Sequence, residues 1–486
     1  MPLPPDRFRV FKFDEPSVGS AQRLGHVLAR IDHELQRSPL AVVVAPMGDT
    51  ADWLLDAVAA AAQGRFDEAD AIVDRLAQLA VDSARHALGA PAAELQGVQL
   101  AVTFLVMPLR KVLLGISLLR EQTPQATDLV LSFGPRVSAS VMTAILRGRG
   151  VEAAFVDART WTITDACFGD AAIDWPATEA LLHARREGWR DVITVHAGSI
   201  GQTADGRTTT LGRNGADLTA TLLARGLDAS ALVICSDTPA LMTADPLIVA
   251  DARAVRHLST LEALELAHLG APRFHGRTLL PLLASGIPLL LRPTADPDAA
   301  GTRIDAAGAA DPTRLTCIVA LEQLALLEVR ATALARPTPL GLHVLAALDA
   351  DAVQPIAACL AAHGQAISVV VSASSAPTAI AALDAALTDP LAEGLLEPIS
   401  LRAPVTLVSL VAEHLLDRPE LTGQLHATLA RLGVPVLASN QGASARSTSV
   451  VLDGHAAPEA LRALHAAFNL NVLAQLIPGA RDLRGD

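Results

Sequence analysis

Residues 211–220 combine an arginine, a glycine-flanked turn and an acid at the expected start of a helix. A polar hairpin is expected before them at 201–210, and helical apolar spacing follows at Leu218, Leu222 and Leu223. A loop that leads into a helix N-terminus presents unpaired N–H groups and the positive end of the helix dipole. Arg213 adds a planar fork suited to a carboxylate, and Asp217 is able to orient a cation. These residues predict an anion-binding turn, although a Gly-Arg-Asn-Gly turn by itself is more often an ordinary loop.

Lysine is rare in this chain. Only Lys12 and Lys111 occur among the 38 lysine and arginine residues, and tyrosine is absent. Lys12 lies at the end of an apolar, strand-like segment. A compact ammonium group that arginine has not replaced is what a tight phosphate site needs. Lys12 is therefore a candidate phosphate-binding residue, and the alternative is a lysine that has survived by chance at a strand end.

Composition narrows the function classes. The chain has 486 residues and a formal net charge of −13, without a run rich in lysine and arginine, which disfavours a nucleic-acid partner. Charged residues, glycine or proline interrupt the apolar runs, and the first ten residues lack a signal-peptide core, so we expect a cytoplasmic protein with no membrane partner. The four cysteines are far apart and are expected to be reduced, buried thiols.

Hydrophobic periodicity predicts alternating strands and helices. This alternation indicates a mostly parallel α/β sheet sandwiched by helices, whose ligands bind beyond the carboxyl ends of the strands. The expected strands are residues 9–13, 41–45, 129–132, 153–156, 192–197, 232–235 and 288–291. The clearest expected helices are residues 20–36, 51–62, 70–88, 137–149 and 217–225.

A second region follows a stretch rich in proline, alanine and aspartate at 293–312, which is a candidate domain boundary. Two βαββαβ-like units can be drawn beyond it. One combines residues 315–330 with 341–387, and the other covers 405–469. Their helices at 351–363 and 418–432 are each expected to precede a strand.

Several segments, in order along the chain, resemble motifs of the aspartokinase family. The chain is especially similar to the aspartokinase half of bifunctional aspartokinase–homoserine dehydrogenases. The matching segments are residues 208–217 (TTTLGRNGAD), 243–246 (TADP), 251–253 (DAR), 258–267 (LSTLEALELA), 298–302 (DAAGT), 408–411 (VSLV) and 441–449 (QGASARSTS).

The resemblance implies an amino acid kinase fold in residues 1–305, followed by a tandem ACT-like regulatory region in residues 306–486. In such a family, ATP with Mg²⁺ is the phosphate donor, a small carboxylate is the acceptor, and a homodimer forms through the ACT domains. The alternative for the ACT pair is a dimer interface without a ligand. The implied site residues are Lys12 and Asp217 for catalysis, Arg213, Thr50, Ser17 and Gly134 for substrate, Ser236, Asp237 and Arg273 for nucleotide, and Asn440 and Gln441 for an effector. No residue is assigned to a metal.

The chain departs from the family pattern at both ends of the expected site. After Lys12 and its phenylalanine the family has Gly-Gly-Thr, whereas this chain has Asp14, Glu15 and Pro16. The ammonium-binding acid of the family's Gly-Glu-Arg is replaced by Pro135. Two basic phosphate contacts are replaced by Leu247 and Pro272, with Arg273 as a possible substitute.

Two hypotheses follow from these departures. The first is an aspartokinase-like carboxylate phosphotransferase that acts on aspartate or, better, on an altered dicarboxylate. The second is a catalytically silent homologue that binds a small anion or regulates a partner through its ACT domains.

Overall fold

The structure, a computed structural model, describes residues 7–35, 38–89, 92–237, 240–269, 276–296, 298–309, 315–333 and 339–472. The chain divides into two compact units. The first contains Met1–Leu241, Arg256–Thr260 and Arg273–Gly308, and the second contains Met242–Val255, Leu261–Pro272 and Ala309–Asp486. The region expected to form the kinase-like domain therefore contributes two short segments to the second unit.

The first unit is built on an eight-stranded sheet in the order β3-β5-β2-β1-β8-β10-β11-β9. Its neighbours pair in parallel except for β10 and β11. A separate three-stranded sheet contains β4, β6 and β7, and the hairpin of β6 and β7 is the one expected at 201–210. The strands are β1 (Arg9–Phe13), β2 (Leu40–Val44), β3 (Ala153–Val156), β4 (Ile163–Thr164), β5 (Ile193–Ala197), β6 (Ile200–Thr203), β7 (Thr208–Thr210), β8 (Ala231–Ser236), β9 (His257–Ser259), β10 (Leu289–Pro293) and β11 (Thr302–Asp305).

The central strands β1, β2 and β5 are buried along their whole length. Their continuous apolar runs are typical of parallel strands covered on both faces. The predicted α/β class with a mostly parallel sheet is confirmed.

Helix α10 (Thr260–His268) begins in the first unit and continues into the second. The other described helices that accompany the eight-stranded sheet are α1 (Glu15–Val18), α2 (Ala21–Glu34), α3 (Thr50–Ala62), α4 (Phe66–Leu88), α5 (Ala92–Leu119), α6 (Pro124–Leu131), α7 (Phe133–Gly148), α8 (Trp175–Arg185), α9 (Gly215–Gly226) and α11 (Gly276–Ser285).

The strand expected at 129–132 is wrong. These residues form the end of α6 and its junction with α7. Pro124 occupies the first turn of α6, and the side chain of Thr123 caps that turn by accepting a hydrogen bond from the backbone N–H of Ala126 at 3.1 Å. A short apolar run has no period that separates a strand from a buried helix, and here the cap decides in favour of the helix.

Helix α5 combines a buried face with an exposed apolar face. Leu109 and Leu113 are fully buried, whereas Phe104 and Leu118 are largely exposed. The stretches Leu95–Leu119 and Pro124–Gly148 are long and apolar enough to cross a membrane by length and composition, and most of the second is buried inside the protein.

The second unit contains a six-stranded sheet in the order β13-β14-β12-β15-β17-β16. Its strands are β12 (Cys317–Arg330), β13 (Ala357–Leu360), β14 (Ala366–Ser372), β15 (Ser400–Val411), β16 (Ala438–Asn440) and β17 (Ser447–Asp453). Its described helices beyond α10 are α12 (Leu340–Ala350), α13 (Ala376–Ala386), α14 (Thr388–Ala392), α15 (Pro419–Arg431) and α16 (Ala457–Ala467).

The two long strands β12 and β15 join the two predicted βαββαβ-like halves. The first part of β12 pairs with the end of β15, which also pairs with β17. The last part of β12 pairs with β14 and with the start of β15. Each half therefore takes one of its strands from a segment that continues into the other half.

The helix expected at 351–363 is wrong, while the helix expected at 418–432 is present as α15. Helix α12 ends at Ala350, Ala352 has a left-handed backbone with φ of 55°, and β13 follows. Pro355 lies within this connection and lacks the N–H that a continuing helix would need.

The four cysteines carry no disulfide bond. Cys235 and Cys317 are buried as expected, Cys359 is partly buried, and Cys167 is exposed. The expectation of buried thiols is therefore wrong for Cys167, which lies in a surface turn.

Candidate active site

Lys12 and Asp217 form a buried ion pair in the first unit. The Nζ atom of Lys12 lies 2.8 Å from Oδ1 of Asp217, and each side chain is only 8% exposed. Lys12 is on β1 in register with Val43 of β2 and Ile234 of β8. Asp217 is in the first turn of α9. Strand β1 and the start of α9 thus bring together the two residues to which the resemblance assigns catalysis.

Lys12 stays charged in this position. Burial is the largest single influence and lowers the pKa of Lys12, but the nearby carboxylates of Asp217, Asp14 and Glu15 together raise that pKa above its ordinary value of 10.5. A buried ammonium group without such partners would instead lose its proton or destabilise the fold. Lys12 therefore contributes a fixed positive charge to a site that also contains three carboxylates.

The start of α9 is positioned by close backbone packing. A Cβ atom added to Gly198, in the loop after β5, would lie 2.9 Å from Cβ of Ala216 and 3.1 Å from Cγ1 of Val43. Asn214, which precedes α9, has a φ of 58°, a left-handed conformation that asparagine tolerates better than most residues. The tight contact leaves room for only a small side chain at Ala216.

Arg213 lies four residues before Asp217 on the same turn and is exposed. Within the described part of the chain, no hydrogen bond or ion pair engages its side chain. Its guanidinium group is therefore available to bind an anion from solvent.

The loop after β1 is a capped helix start and does not form a glycine-rich phosphate loop. Asp14 caps α1 by accepting hydrogen bonds from the backbone N–H of Ser17 at 3.3 Å and from its hydroxyl at 2.6 Å. The hydroxyl of Ser17 also lies 2.7 Å from that of Thr294. Ser17, a candidate substrate-binding residue, is thus buried and already engaged with protein groups.

Two candidate substrate residues lie near the carboxyl end of β2. Thr50 begins α3, is fully buried, and has a hydroxyl without a hydrogen-bond partner among the described residues. A Cβ atom added to Gly134 in α7 would lie 3.3 Å from Cδ1 of Leu54 and 3.4 Å from Cβ of Pro46. Glycine therefore lets α7 approach the loop after β2, and Thr50 offers a buried polar group at the same strand end.

Two of the candidate nucleotide-binding residues lie at the carboxyl end of β8. Ser236 ends the strand, and the carboxylate of Asp237 pairs with Arg23 at 3.1 Å, with both side chains about half exposed. Cys235, just before them, is buried, and burial raises its thiol pKa to about 12. Arg273 lies outside the described residues. Leu247, where the family has a basic residue, belongs to the second unit and is 94% exposed.

Sequence reasoning missed a second charged cluster, at the carboxyl end of β3. Asp157 pairs with Arg136 at 3.1 Å and with Arg159 at 2.7 Å. The available signal was the Asp-Ala-Arg sequence directly after the predicted strand at 153–156, because polar residues that follow a parallel strand lie on the ligand-binding edge of the sheet.

Asn440 and Gln441, the candidate effector residues, are in the second unit. Asn440 ends β16 in register with Ser449 of β17, and Gln441 is exposed. In the described ranges of both units, no group of three or more histidine, cysteine, aspartate or glutamate side chains is arranged to hold a metal ion.

Comparison with known proteins identifies the family. The sequence profile of the amino acid kinase family matches residues 7–292, and that of an ACT domain matches residues 408–468. The chain therefore belongs to the amino acid kinase family. Within that family it is homologous to aspartokinases and to bifunctional aspartokinase–homoserine dehydrogenases, as its motifs led us to expect.

The relatives and solved structures define the extent of the similarity. The chain is 28% identical over 355 residues to the bifunctional aspartokinase/homoserine dehydrogenase of Haemophilus influenzae. This alignment covers 73% of this chain and 43% of the relative. It is 38% identical over 187 residues to lysine-sensitive aspartokinase 3 of Escherichia coli, over 37% of this chain and 41% of that one. The chain thus spans half or less of the length of these curated relatives. The fold matches E. coli aspartokinase III in complex with aspartate and ADP, with a TM-score of 0.75 at 23% identity over 95% of this chain and 99% of that one.

Proposed function

We propose that the chain is an ATP-dependent phosphotransferase that forms an acyl phosphate on a small dicarboxylate. The observation that carries the proposal is the buried Lys12–Asp217 ion pair on the carboxyl side of the sheet. Burying a charge pair is expensive, and well-packed apolar residues often serve stability equally well. A retained buried pair beside an unengaged Arg213 and the unpartnered hydroxyl of Thr50 is suited to binding and stabilising an anion.

The proposed chemistry requires positioning and charge stabilisation by these residues. A carboxylate oxygen of the acceptor attacks the γ-phosphorus of ATP, the bond from that phosphorus to the bridging oxygen breaks, and ADP leaves with the electron pair. Lys12 offsets the negative charge that develops on the transferring group, Asp217 holds Lys12 protonated and oriented, and Arg213 binds the reacting carboxylate of the acceptor through the oxygen that does not attack. No covalent enzyme intermediate is needed.

ATP with Mg²⁺ is the donor substrate in this proposal. Ser236 and Asp237 are placed at the end of β8, where a parallel sheet binds nucleotides. The ion pair of Asp237 with Arg23 is half exposed and therefore accessible to exchange with a ligand.

The acceptor in this proposal is not aspartate itself. Pro135 stands where the family's ammonium-binding acid is expected, and a proline side chain offers no charge to an α-ammonium group. A buried ammonium left without its anionic partner costs about 3–5 kcal/mol, equivalent to more than a hundredfold in binding. A dicarboxylate without the amino group avoids this cost.

Hydroxamate trapping of the acyl phosphate tests the proposal. With ATP and Mg²⁺ present, we expect more hydroxamate from succinate or glutarate than from L-aspartate, and none from the Lys12→Met variant. Turnover of aspartate near the common enzyme median of about 10 per second would contradict the altered acceptor. Product from Lys12→Met at the wild-type rate would contradict the role of Lys12.

A second candidate function is that of a silent homologue that binds a small anion. The observation that favours it is the capped Asp14–Ser17 turn, which places two carboxylates and a proline where a phosphate loop needs N–H donors. The two functions differ in nucleotide binding. ATP–Mg²⁺ at about a hundred times its Kd should stabilise a kinase by about 2.7 kcal/mol in thermal unfolding, and a silent homologue should respond only to dicarboxylates.

We also propose that the chain forms a homodimer through its ACT-like sheet. ACT domains commonly pair sheet to sheet, and closed two-fold dimers are the commonest oligomers. The mass in solution, measured by light scattering, should be twice that of the 50.5 kDa chain. A mass equal to that of a single chain would contradict the proposal.

A further inference from the structure

A cluster of two arginines and one aspartate lies at the carboxyl end of β3. Asp157 follows the strand directly, Arg159 is two residues further along, and Arg136 reaches the same carboxylate from the first turn of α7. Two positive charges thus share one negative charge, which leaves the cluster with a formal charge of +1.

The carboxylate of Asp157 is fully used by these contacts. Its Oδ1 accepts hydrogen bonds from the backbone N–H and the Nε of Arg159 at 3.2 and 3.0 Å. Its Oδ2 lies 2.7 Å from a terminal nitrogen of Arg159 and 3.1 Å from Nε of Arg136. Arg159 gives its other terminal nitrogen to the hydroxyl of Thr208 at 2.9 Å. Arg159 is therefore fixed by the protein on both sides.

Arg136 is engaged only through its inner edge. Its Nε lies 3.1 Å from Oδ2 of Asp157 in an ion pair without hydrogen-bond geometry, and its guanidinium carbon lies 4.7 Å from the centre of the Phe133 ring. In the part of the chain that the structure describes, its two terminal nitrogens have no hydrogen-bond partner. These nitrogens carry four N–H donors on a side chain that is only 15% exposed. A planar fork of this kind matches a carboxylate.

The protein environment opposes the charge of Arg136. Burial, and then the positive charge of Arg159, lower the pKa of Arg136, and Asp157 offsets this only in part. Like charges held close together with limited solvent are destabilising unless an anion compensates them. The surplus positive charge and the free donors therefore point to the same kind of ligand.

The sheet places this cluster on the same edge as Lys12. Strands β3, β5, β2 and β1 are consecutive neighbours, so the end of β3 lies about 14 Å from the end of β1, from a spacing of about 4.8 Å per strand. Helix α7, which carries Arg136, begins against Pro46 and Leu54 beside β2. Because the Nε of Arg136 lies 3.1 Å from the carboxylate of Asp157, the residue directly after β3, an anion on the terminal nitrogens of Arg136 lies near the β3 end of this span.

We propose that the free donors of Arg136 bind the second acidic group of the phosphate acceptor, so that the preferred acceptor is an acyclic dicarboxylate longer than aspartate. This inference rests on the proposed function and specifies its substrate class. Arg136 acts as a specificity-determining residue, Arg159 and Asp157 position it, and the transferred phosphoryl group stays near Lys12.

Binding of succinate, glutarate and adipate to the full chain, measured by calorimetry without nucleotide, tests the inference. Wild-type protein should bind adipate or glutarate at least about tenfold more tightly than succinate, the smallest effect expected of charge-assisted hydrogen bonds. Arg136→Gln should remove this preference for length. Arg136→Lys keeps the charge without the fork and should recover only part of it. Arg85→Gln, which alters an exposed arginine on α4, is the matched control and should behave as wild type.

The outcomes separate this inference from the proposed function. If no acyl phosphate forms but the preference for length disappears in folded Arg136→Gln, the anion site stands and the kinase proposal fails. If acyl phosphate forms and Arg136→Gln keeps the wild-type preference, the inference is wrong and the kinase proposal survives. Wild-type protein that binds none of the three dicarboxylates also overturns the inference. Melting curves of Arg136→Gln and Arg136→Lys establish that each variant is folded.

Discussion

Lys12 and His196 lie in one cross-strand row of the eight-stranded sheet, because each is the register partner of Val43 on β2. Both side chains are buried. Lys12 is paired with Asp217 at 2.8 Å, whereas neither ring nitrogen of His196 has a hydrogen-bond partner among the described residues. The His196 ring packs edge-on against Trp161 and Trp189, with centroid separations of 5.7 and 5.1 Å.

Burial acts on both residues, but the pKa of Lys12 is raised and the pKa of His196 is lowered. Burial lowers the pKa of His196 to about 3, so that its imidazole is neutral. Burial also lowers the pKa of Lys12, but three carboxylates raise it above the ordinary value. The fold thus keeps Lys12 charged among carboxylates and keeps His196 neutral between two aromatic rings.

The largest expected effect comes from removing the partner of the charged residue. Asp217→Ala leaves the ammonium group of Lys12 buried without its direct counter-charge, which typically costs 3–5 kcal/mol. The free energy of unfolding, measured by denaturation in guanidinium chloride, should fall by about this amount. The double variant Lys12→Met with Asp217→Leu should recover most of it, because it removes both charges.

The matched control is Asp82→Ala, which breaks the exposed pair with Arg85 on α4 and should leave the stability nearly unchanged. Equal losses from the two single variants would mean that burial does not distinguish them. The comparison between Lys12 and His196 would then lose its basis.

The next largest expected effect is the pH dependence that His196 gives to the free energy of unfolding. The pKa of His196 is lower in the folded protein, at about 3, than the ordinary 6.5, so the unfolded chain binds the proton more tightly. The stabilising contribution of the neutral ring is therefore present above pH 6.5 and is lost as the pH falls towards 3. At pH 5 the loss amounts to about 2 kcal/mol.

His196→Phe keeps an aromatic ring between the two tryptophans and removes the titration. The difference in unfolding free energy between wild type and His196→Phe, measured at pH 8 and pH 5, should shift by about 2 kcal/mol in favour of the variant. A difference that is independent of pH would show that the imidazole of His196 is solvated or paired in solution.

Sequence patterns predicted several strands of the eight-stranded sheet. Strands β1 and β3 match their predicted ranges residue for residue, because each is a short, mostly apolar segment between polar turns, although β1 is buried throughout and β3 is fully buried only at Ala153. The pattern failed at 129–132 and 351–363. In the first, a helix cap outweighed the β-branched and apolar run, and in the second, the left-handed backbone at Ala352 separated the helix from a strand.

The candidate site was accessible to sequence reasoning only in part. Lys12 and Asp217 follow from motif similarity, and the structure adds that their atoms meet. Arg136 and Arg159 are 23 positions apart in the sequence, and only the packing of α7 beside the end of β3 brings them to one carboxylate. The Asp-Ala-Arg sequence after β3 points to Asp157 and Arg159, but no local period or spacing predicts that Arg136 joins them.

The smallest expected effect on stability concerns Asp14, which caps α1 and is also one of the acids that raise the pKa of Lys12. Two variants of Asp14 distinguish the contribution of its charge from that of its cap. Asparagine caps a helix about as well as aspartate, so Asp14→Asn should leave the unfolding free energy within a few tenths of a kcal/mol, whereas Asp14→Ala should cost about 1 kcal/mol. Both variants remove a carboxylate that repels a triphosphate beside Lys12, an interaction of a few kcal/mol at an effective dielectric constant of about 20. Calorimetry should therefore show ATP–Mg²⁺ binding at least about tenfold more tightly to either variant than to wild type. Weaker binding by both variants would instead indicate that Asp14 is a ligand of the Mg²⁺ that accompanies ATP. The loop after β1 would then belong to the binding site together with Lys12.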